Sequence, residues 1–278
     1  MGREDKFAYN ALMKLACFDV DGTLLPNYKD PIPQENIDAV QRFADLGNAI
    51  AIASGRPFGS CKKFLDCFKS DKRFVIAAGG SVAYDYDGNL LWKKTLSKED
   101  FLHFRKELSN HKDVGVYCYI GDDSMGSYFP EPWAKFEYDI NTFSRHRDLN
   151  QGLEAIDEFG VTKIMITSST EVSKTIVFEP EDYEKYTIVR SSPNFLEVMP
   201  KGVSKASGAY AICKKLGIKK EDVYAFGDSG NDIGMIQEFE GVAMGNAMEE
   251  VKTVAKYVTK SCVDCGVAYA LKDILHLI

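Results

Sequence analysis

Leu15-Ala-Cys-Phe-Asp-Val-Asp-Gly-Thr-Leu24 is the stretch that decides how this chain folds. The run from Leu15 to Phe18 has no charge and leads straight into Asp19 and Asp21. An uninterrupted apolar run that ends in polar groups marks a strand buried on both faces, with functional side chains at its carboxyl end. Carboxylates two positions apart on an extended chain share one side of it, although the turn at Gly22 can re-aim the second. Such a pair can hold a hard cation through oxygen, with one carboxylate free to attack and the other to exchange a proton. Asp-Gly is also common in ordinary turns. The apolar strand before it and Thr23-Leu24-Leu25 behind it favour chemistry over a plain turn.

Outward from this strand the same rhythm repeats. Pro33 to Leu46 reads as a helix, with Ile37, Val40, Phe43 and Ala44 near helical spacing and Gly47 as its stop. Ala49 to Ala53 is the next strand, Ser54-Gly55-Arg56-Pro57 breaks it, and a helix through Phe68 follows. Phe74 to Ala78 is a third strand. Strand, helix, strand, helix, strand predicts a doubly wound parallel sheet whose strand ends meet at one crevice. From about Val82 the rhythm changes: Val82 to Tyr86, Asp87-Gly88-Asn89 and Leu90 to Lys94 read as a hairpin, followed by a helix from Lys98 to Asn110. Strands at Val114 to Ile120, Lys163 to Thr167 and Tyr186 to Arg190, and a hairpin closing from Thr187 to Met199, predict an inserted α+β unit. After Pro200 the α/β pattern resumes, with helices at Ser204 to Leu216, Ile233 to Phe239 and Ala247 to Ala255, and strands at Asp222 to Phe226 and Gly241 to Met244. The expected organisation is a core over 1–84 and 200–278, split by an insert over 85–199.

Three further segments carry chemistry. Gly227-Asp228-Ser229-Gly230-Asn231-Asp232 again follows an apolar strand and precedes a helix, so Asp228 and Asp232 could complete the cation site begun by Asp19. A calcium loop needs acidic or amide ligands at alternating positions and a terminal Glu, which this stretch lacks. Ser54 and Gly55 stand at a strand end where a hydroxyl and backbone N–H groups suit phosphate oxygens, although Ser-Gly before a helix is also a common cap. Lys205 opens a helix, where a cation gains nothing from the macrodipole and an anionic partner would explain it. Lys201 competes for that role.

Bulk properties narrow the class. The 278 residues, 45% hydrophobic and 27% charged, are those of an ordinary globular protein large enough for two domains. A formal charge of -7 disfavours nucleic-acid binding, which rests on clustered Lys and Arg. No apolar run approaches the roughly 20 residues that span a bilayer, and the first residues (MGREDKFAYNALMK) lack the apolar core of a secretory signal, so a cytoplasmic setting is expected with no membrane partner. Seven scattered cysteines, Cys262 and Cys265 among them, fit reduced thiols, and His103, His111, His146 and His276 show no metal spacing. The sequence leaves the oligomeric state open.

In order, Asp19-x-Asp21-Gly-Thr, Ser54-Gly-Arg-Pro, Lys205 and Gly-Asp228-x-x-Asn231-Asp232 resemble the motifs of the haloacid dehalogenase (HAD) superfamily. Pro200-Lys-Gly-Val-Ser-Lys205 and Gly245-Asn246-Ala247 look like its Cof-type sugar-phosphatase branch, which carries a large cap between the second and third motifs. That resemblance implies a doubly wound, Rossmann-like core with an inserted α+β cap, hydrolysing a small phosphorylated metabolite, in all expectation a sugar phosphate. It implies that Asp19 attacks phosphorus and forms an aspartyl-phosphate, and that Asp21 protonates the leaving oxygen and later activates water. Ser54, Gly55, Lys205 and Asn231 would bind the phosphoryl group. Mg²⁺ would be held by Asp19, the Asp21 carbonyl and Asp228, supported by Asp232. Arg56 and residues between Phe129 and Tyr138 are candidates for substrate contact. An acid at position 21 goes, in the resemblance, with phosphatases and phosphomutases, so a phosphomannomutase-like phosphotransferase is the alternative; a non-catalytic phosphometabolite-binding protein would be expected to lack one of the four motif residues present here. Ala78-Gly79-Gly80-Ser81 and Cys265-Gly266 depart from the branch's usual Asn-Gly and Asp-Gly, which bears on substrate preference.

Overall fold

The computed structural model describes residues 13–27, 30–111, 113–127 and 132–278, except for the side chains of 132 and 133. The first strand is β1 (Leu15–Phe18), all four residues buried. Helix α1 (Gln34–Asp45) buries Ala39, Val40, Phe43 and Ala44 on one face. It stops where Gly47 takes a φ of 87° and Asn48 donates to the Phe43 carbonyl at 3.1 Å. Strand β2 (Ala49–Ala53) follows, then α2 (Phe58–Lys63), β3 (Arg73–Ala77) and the hairpin β4 (Val82–Asp85) and β5 (Leu90–Lys93). The helix expected to reach Phe68 ends at Lys63. Beyond it the chain tightens into three-residue steps, Leu65 N–H to Lys62 O and Phe68 N–H to Leu65 O, and Arg73 Nη1 donates to the carbonyls of Leu65 and Phe68. Leu65 and Phe68 remain buried, so the apolar spacing is kept while the helix is not.

A second unit comprises α3 (Lys98–Glu107), β6 (Gly115–Ile120), β7 (Ser124–Gly126), α4 (Pro132–Ile140), β8 (His146–Arg147), α5 (Leu149–Phe159), β9 (Val161–Thr167), α6 (Thr170–Thr175), α7 (Pro180–Lys185), β10 (Tyr186–Ser192) and β11 (Phe195–Pro200). Ser97 and Asp100 form a reciprocal capping box that starts α3. The chain then completes α8 (Lys205–Leu216), β12 (Val223–Gly227), α9 (Ile233–Glu238), β13 (Glu240–Ala243), α10 (Glu249–Val254), β14 (Tyr257–Val258) and α11 (Gly266–Tyr269).

Hydrogen bonding sorts the strands into two sheets. One has the order β14-β13-β12-β1-β2-β3-β4-β5, parallel as far as β3 and closed by the antiparallel hairpin. The other, order β10-β11-β9-β6-β7-β8, is antiparallel except between β7 and β8. The molecule is thus a doubly wound α/β core with an inserted α+β cap. The expected break at residue 84/85 falls inside the hairpin β4–β5, both strands of which belong to the first sheet, so that sheet runs on to Lys93.

Two features of this topology fix the site. The chain runs outward from β1 through β2 and β3 on one side and through β12, β13 and β14 on the other, so β1 and β12 flank the switch point at which open α/β sheets hold ligands. The cap sheet, in turn, alternates. Val116, Cys118, Ile120, Ile164, Ile166, Leu196 and Val198 pack into the cap's own core with Phe101 and Phe104. Tyr117, Tyr119 and Met165, on the opposite face, pack with the first core.

Candidate active site

Asp19 follows β1 directly, 5% exposed, with its N–H bonded to the Phe226 carbonyl of β12 at 3.0 Å. Its Oδ1 receives Lys205 Nζ at 2.6 Å, and the same ammonium reaches Asp232 Oδ1 at 2.6 Å. Lys205 and Asp232 are both fully buried. Burial by itself lowers the Lys205 pKa, but contact with Asp19 and Asp232 outweighs it and raises the ammonium above its usual range. Burial, then the neighbouring Asp232 charge, push Asp19 well above the usual carboxylate range, against the lowering effect of Lys205. Asp228 is pushed up to about 6 by the same causes, while Thr23 Oγ1, donating at 3.1 Å, works the other way.

Asp232 is a hub. Its Oδ2 accepts from the N–H groups of Asp228 and Ser229, both at 3.0 Å, so the loop after β12 is folded around it. Gly22 has a φ of 83°, and a Cβ there would lie 2.4 Å from Asp228 Oδ2. Only glycine lets the loop after β1 approach the loop after β12 this closely. Asn246 ties the two to a third loop, donating to the Gly22 carbonyl at 2.8 Å and accepting from Cys262 N–H at 2.8 Å. Asp19, Asp228 and Asp232 each bring an oxygen within 4.8 Å of the others. Hard carboxylate oxygens so closely grouped, with Asp19 and Asp228 held above their usual range by burial and by the neighbouring Asp232 charge, suit a hard divalent cation.

Asp19, Asp21, Ser54, Gly55, Asp228 and Asn231 line one cavity of about 480 Å³ beneath the cap. Lys205 and Asp232 stand behind that lining layer. Ser54 does not cap α2, whose N-cap is Pro57; its Oγ accepts from Arg56 N–H at 3.3 Å. Gly55 N–H makes no intramolecular bond among the described residues. Arg56 reaches across to Asp21 with Nε at 2.9 Å and Nη2 at 2.7 Å, a bidentate pair at the cavity edge where the Asp21 side chain is 46% exposed. Lys201 points away, to the Tyr183 carbonyl.

The cap supplies residues that sequence reading did not single out. Lys163 of β9, 2% exposed, donates to the Gly55 carbonyl at 2.7 Å and stands 3.3 Å from Glu197 of β11. Glu137 of α4 accepts from Tyr119 Oη and from Asn141 at 2.8 Å. The available signal was a charge at an interior position of an apolar alternating strand, Lys163 in Val-Thr-Lys-Ile-Met-Ile-Thr and Glu197 in Phe-Leu-Glu-Val-Met. Of the segment expected to reach substrate, Phe136 lines the cavity and Tyr138 stacks on Phe143 at 6.1 Å, while Phe129 lies outside the described residues. His103 pairs with Asp182 at 2.7 Å and approaches Glu107 at 3.6 Å on the cap, a grouping that sequence spacing did not show. Cys262 and Cys265 are free thiols. No helix among the described residues is long and apolar enough to cross a membrane.

The switch-point acids, the buried ammonium and the roofing sheet define the class, a doubly wound α/β protein with an acidic site under an inserted cap. Residues 16–271 match the family model of haloacid dehalogenase-like hydrolases. The sequence is 31% identical over 266 residues, 94% of this chain and 95% of the other, to a 5-amino-6-(5-phospho-D-ribitylamino)uracil phosphatase of Bacillus subtilis. The fold is similar to that of the HAD subclass IIB sugar phosphatase BT4131, with TM-score 0.80 and 26% identity across 96% of this chain and 100% of that one. It is similar too to BT1666 of Bacteroides thetaiotaomicron, a HAD-superfamily phosphatase, with TM-score 0.78 and 26% identity across 99% and 100%. The chain belongs to the haloacid dehalogenase-like hydrolases, in the Cof-type branch its motifs resemble, and it is a phosphatase.

Proposed function

We propose that this phosphatase hydrolyses the phosphomonoester of a small metabolite, a sugar phosphate or a related polyol phosphate, with Asp19 as nucleophile. The observation that carries the reading is the placement of Asp19 and Asp21 on one cavity wall, with Asp19 Oδ1 already held by Lys205. That bond leaves Oδ2 as the oxygen to attack phosphorus in line, giving an aspartyl-phosphate. Asp21 donates a proton to the leaving oxygen, then takes one from the water that cleaves the acyl phosphate. Its pairing with Arg56 orients it toward the cavity. Ser54 Oγ, Gly55 N–H and Asn231 bind the equatorial oxygens, and Lys205 offsets their charge from beside Asp19. Asp19, Asp228 and the Asp21 main-chain carbonyl would hold Mg²⁺, braced by Asp232. When bound, the cation offsets the charge of the crowded acids and of the phosphate dianion.

In this reading the core spans the segments before and after the insert, and the cap excludes bulk water from Asp19. Two similar proteins, a 5-amino-6-(5-phospho-D-ribitylamino)uracil phosphatase and the sugar phosphatase BT4131, support a polyhydroxylated leaving group. A panel of metabolite phosphates, scored by kcat/KM with Mg²⁺, tests the proposal. Release of phosphate from sugar or polyol phosphates, lost in Asp19→Asn, is expected; turnover that survives Asp19→Asn, or none on any phosphomonoester, would overturn it.

A further inference from the structure

The cap side of the cavity carries more hydrogen-bond acceptors than the protein fills. Glu197 is 5% exposed and lines the cavity. Its Oε1 faces Lys163 Nζ at 3.3 Å, while Oε2 is buried with no hydrogen-bond partner. Asn141 lines the same cavity, and its Nδ2 donates to the main-chain and side-chain oxygens of Glu137 at 3.3 and 2.8 Å. Carbonyl and carboxylate oxygens only accept, so this contact fixes the amide orientation. Asn141 Oδ1 is then left buried and unpartnered as well. Among the described residues these are the only orphaned buried side-chain atoms on the cavity wall, and both are acceptors.

The cations around them are already engaged. Lys163 donates to the Gly55 carbonyl and pairs with Glu197, and Arg56 takes both oxygens of Asp21. A buried acceptor without a donor is costly, and such groups persist where something else completes them. An occupant offering hydroxyl donors completes both. An occupant with a second anionic group instead meets the Glu137 and Glu197 carboxylates.

Resting on the phosphatase reading above, we propose that Glu197, with Asn141, is the specificity determinant of this cavity. The pair accepts hydrogen bonds from hydroxyls of a neutral polyol leaving group and disfavours leaving groups that bear a second anion. Sorbitol phosphate and phosphogluconate are matched probes, differing only in a hydroxymethyl or a carboxylate at the end remote from phosphorus; an aryl phosphate offers no hydroxyl donor.

In Glu197→Gln the amide oxygen keeps the side facing Lys163, and the NH₂ group turns the orphan acceptor into a donor. Wild-type kcat/KM should favour sorbitol phosphate over the aryl phosphate, because that leaving group supplies no hydroxyl donor. It should favour sorbitol phosphate over phosphogluconate by about tenfold or more, since the carboxylate of phosphogluconate meets the Glu137 and Glu197 carboxylates. Glu197→Gln should narrow that ratio, and its loss on sorbitol phosphate should exceed its loss on the aryl phosphate by about tenfold. Asn141→Leu, which leaves the Lys163 pair intact, should show the same selective loss. Equal losses on all three substrates, or an unaltered preference in both variants, would overturn the inference. If the wild-type enzyme hydrolyses the aryl phosphate while these ratios stay flat, only the specificity claim fails; if it hydrolyses none of the three, the phosphatase reading fails with it.

Discussion

Lys205 joins two acids that could not otherwise share so small a volume, and its removal is therefore a sharp probe of the site. Asp19 and Asp232 both bond its ammonium at 2.6 Å with no access to water for Lys205 or Asp232. Lys205→Met leaves two carboxylates uncompensated, and a loss of about 3–5 kcal/mol in unfolding free energy is expected, the usual cost of breaking one side of a buried ion pair. Denaturant titration of the metal-free protein checks it. The same residue shows how far sequence alone reached. A lysine at the first position of a helix is electrostatically misplaced, which pointed to an anion, but Lys201 four residues earlier carried the same ambiguity. Only the fold separates them, by turning Lys201 toward Tyr183 and Lys205 toward Asp19. Asn141 was invisible at this scale, and Glu197 showed only as a charge inside an apolar strand, because an orphaned acceptor is a property of packing, not of residue type.

At the scale of elements, the loop from β3 to β4 holds α8 in place. Gly80 has a φ of 101°, and a Cβ there would fall 1.9 Å from the Ser204 carbonyl oxygen, just before Lys205. Gly80→Ala combines a disfavoured backbone conformation with a backbone clash, and should cost about 2–4 kcal/mol while displacing the start of α8. Thermal melting and kcat measured together check both effects. The Ala78-Gly79-Gly80-Ser81 departure read from sequence thus carries a structural role, the close approach of α8 to the sheet. A second contact joins cap to core: Asp123, in the turn between β6 and β7, accepts from Phe58 N–H at 2.9 Å and Gly59 N–H at 3.3 Å. Burial pushes its pKa up to about 6, overriding those bonds. The folded protein then binds a proton there that the unfolded chain has already lost, so this carboxylate makes stability fall as pH rises from about 4 to 6. Asp123→Asn lacks that term, and its stability relative to wild type should rise by about 2 kcal/mol between pH 4 and pH 7. An unchanged difference across that range would contradict the assignment.

Across the whole molecule, the core strands and the hairpin were legible because each is written locally, the core strands as apolar runs ending at Asp19, Ser54 and Asp228. The cap elements α4 to α7, β7 and β8 went unread; β7 and β8, at three and two residues, are too short for any apolar period to show. The cap's contribution to the site was hidden because Lys163 and Glu197 meet Gly55 only once β9 and β11 lie side by side above the core. The core acids were legible because a single loop places each at a strand end, and the switch point between β1 and β12 brings those ends together without help from the cap. Chelation should abolish turnover and lower the melting temperature, with Mg²⁺ restoring both, since a cation bound only by the folded state stabilises it. The central claim is that Asp19 carries the phosphoryl group. Rapid acid quenching during turnover of a sugar phosphate, followed by peptide mapping, tests it most directly: a phosphoryl adduct on the peptide containing Asp19, absent in Asp19→Asn, is expected, and an adduct elsewhere or undiminished turnover in that variant would contradict it.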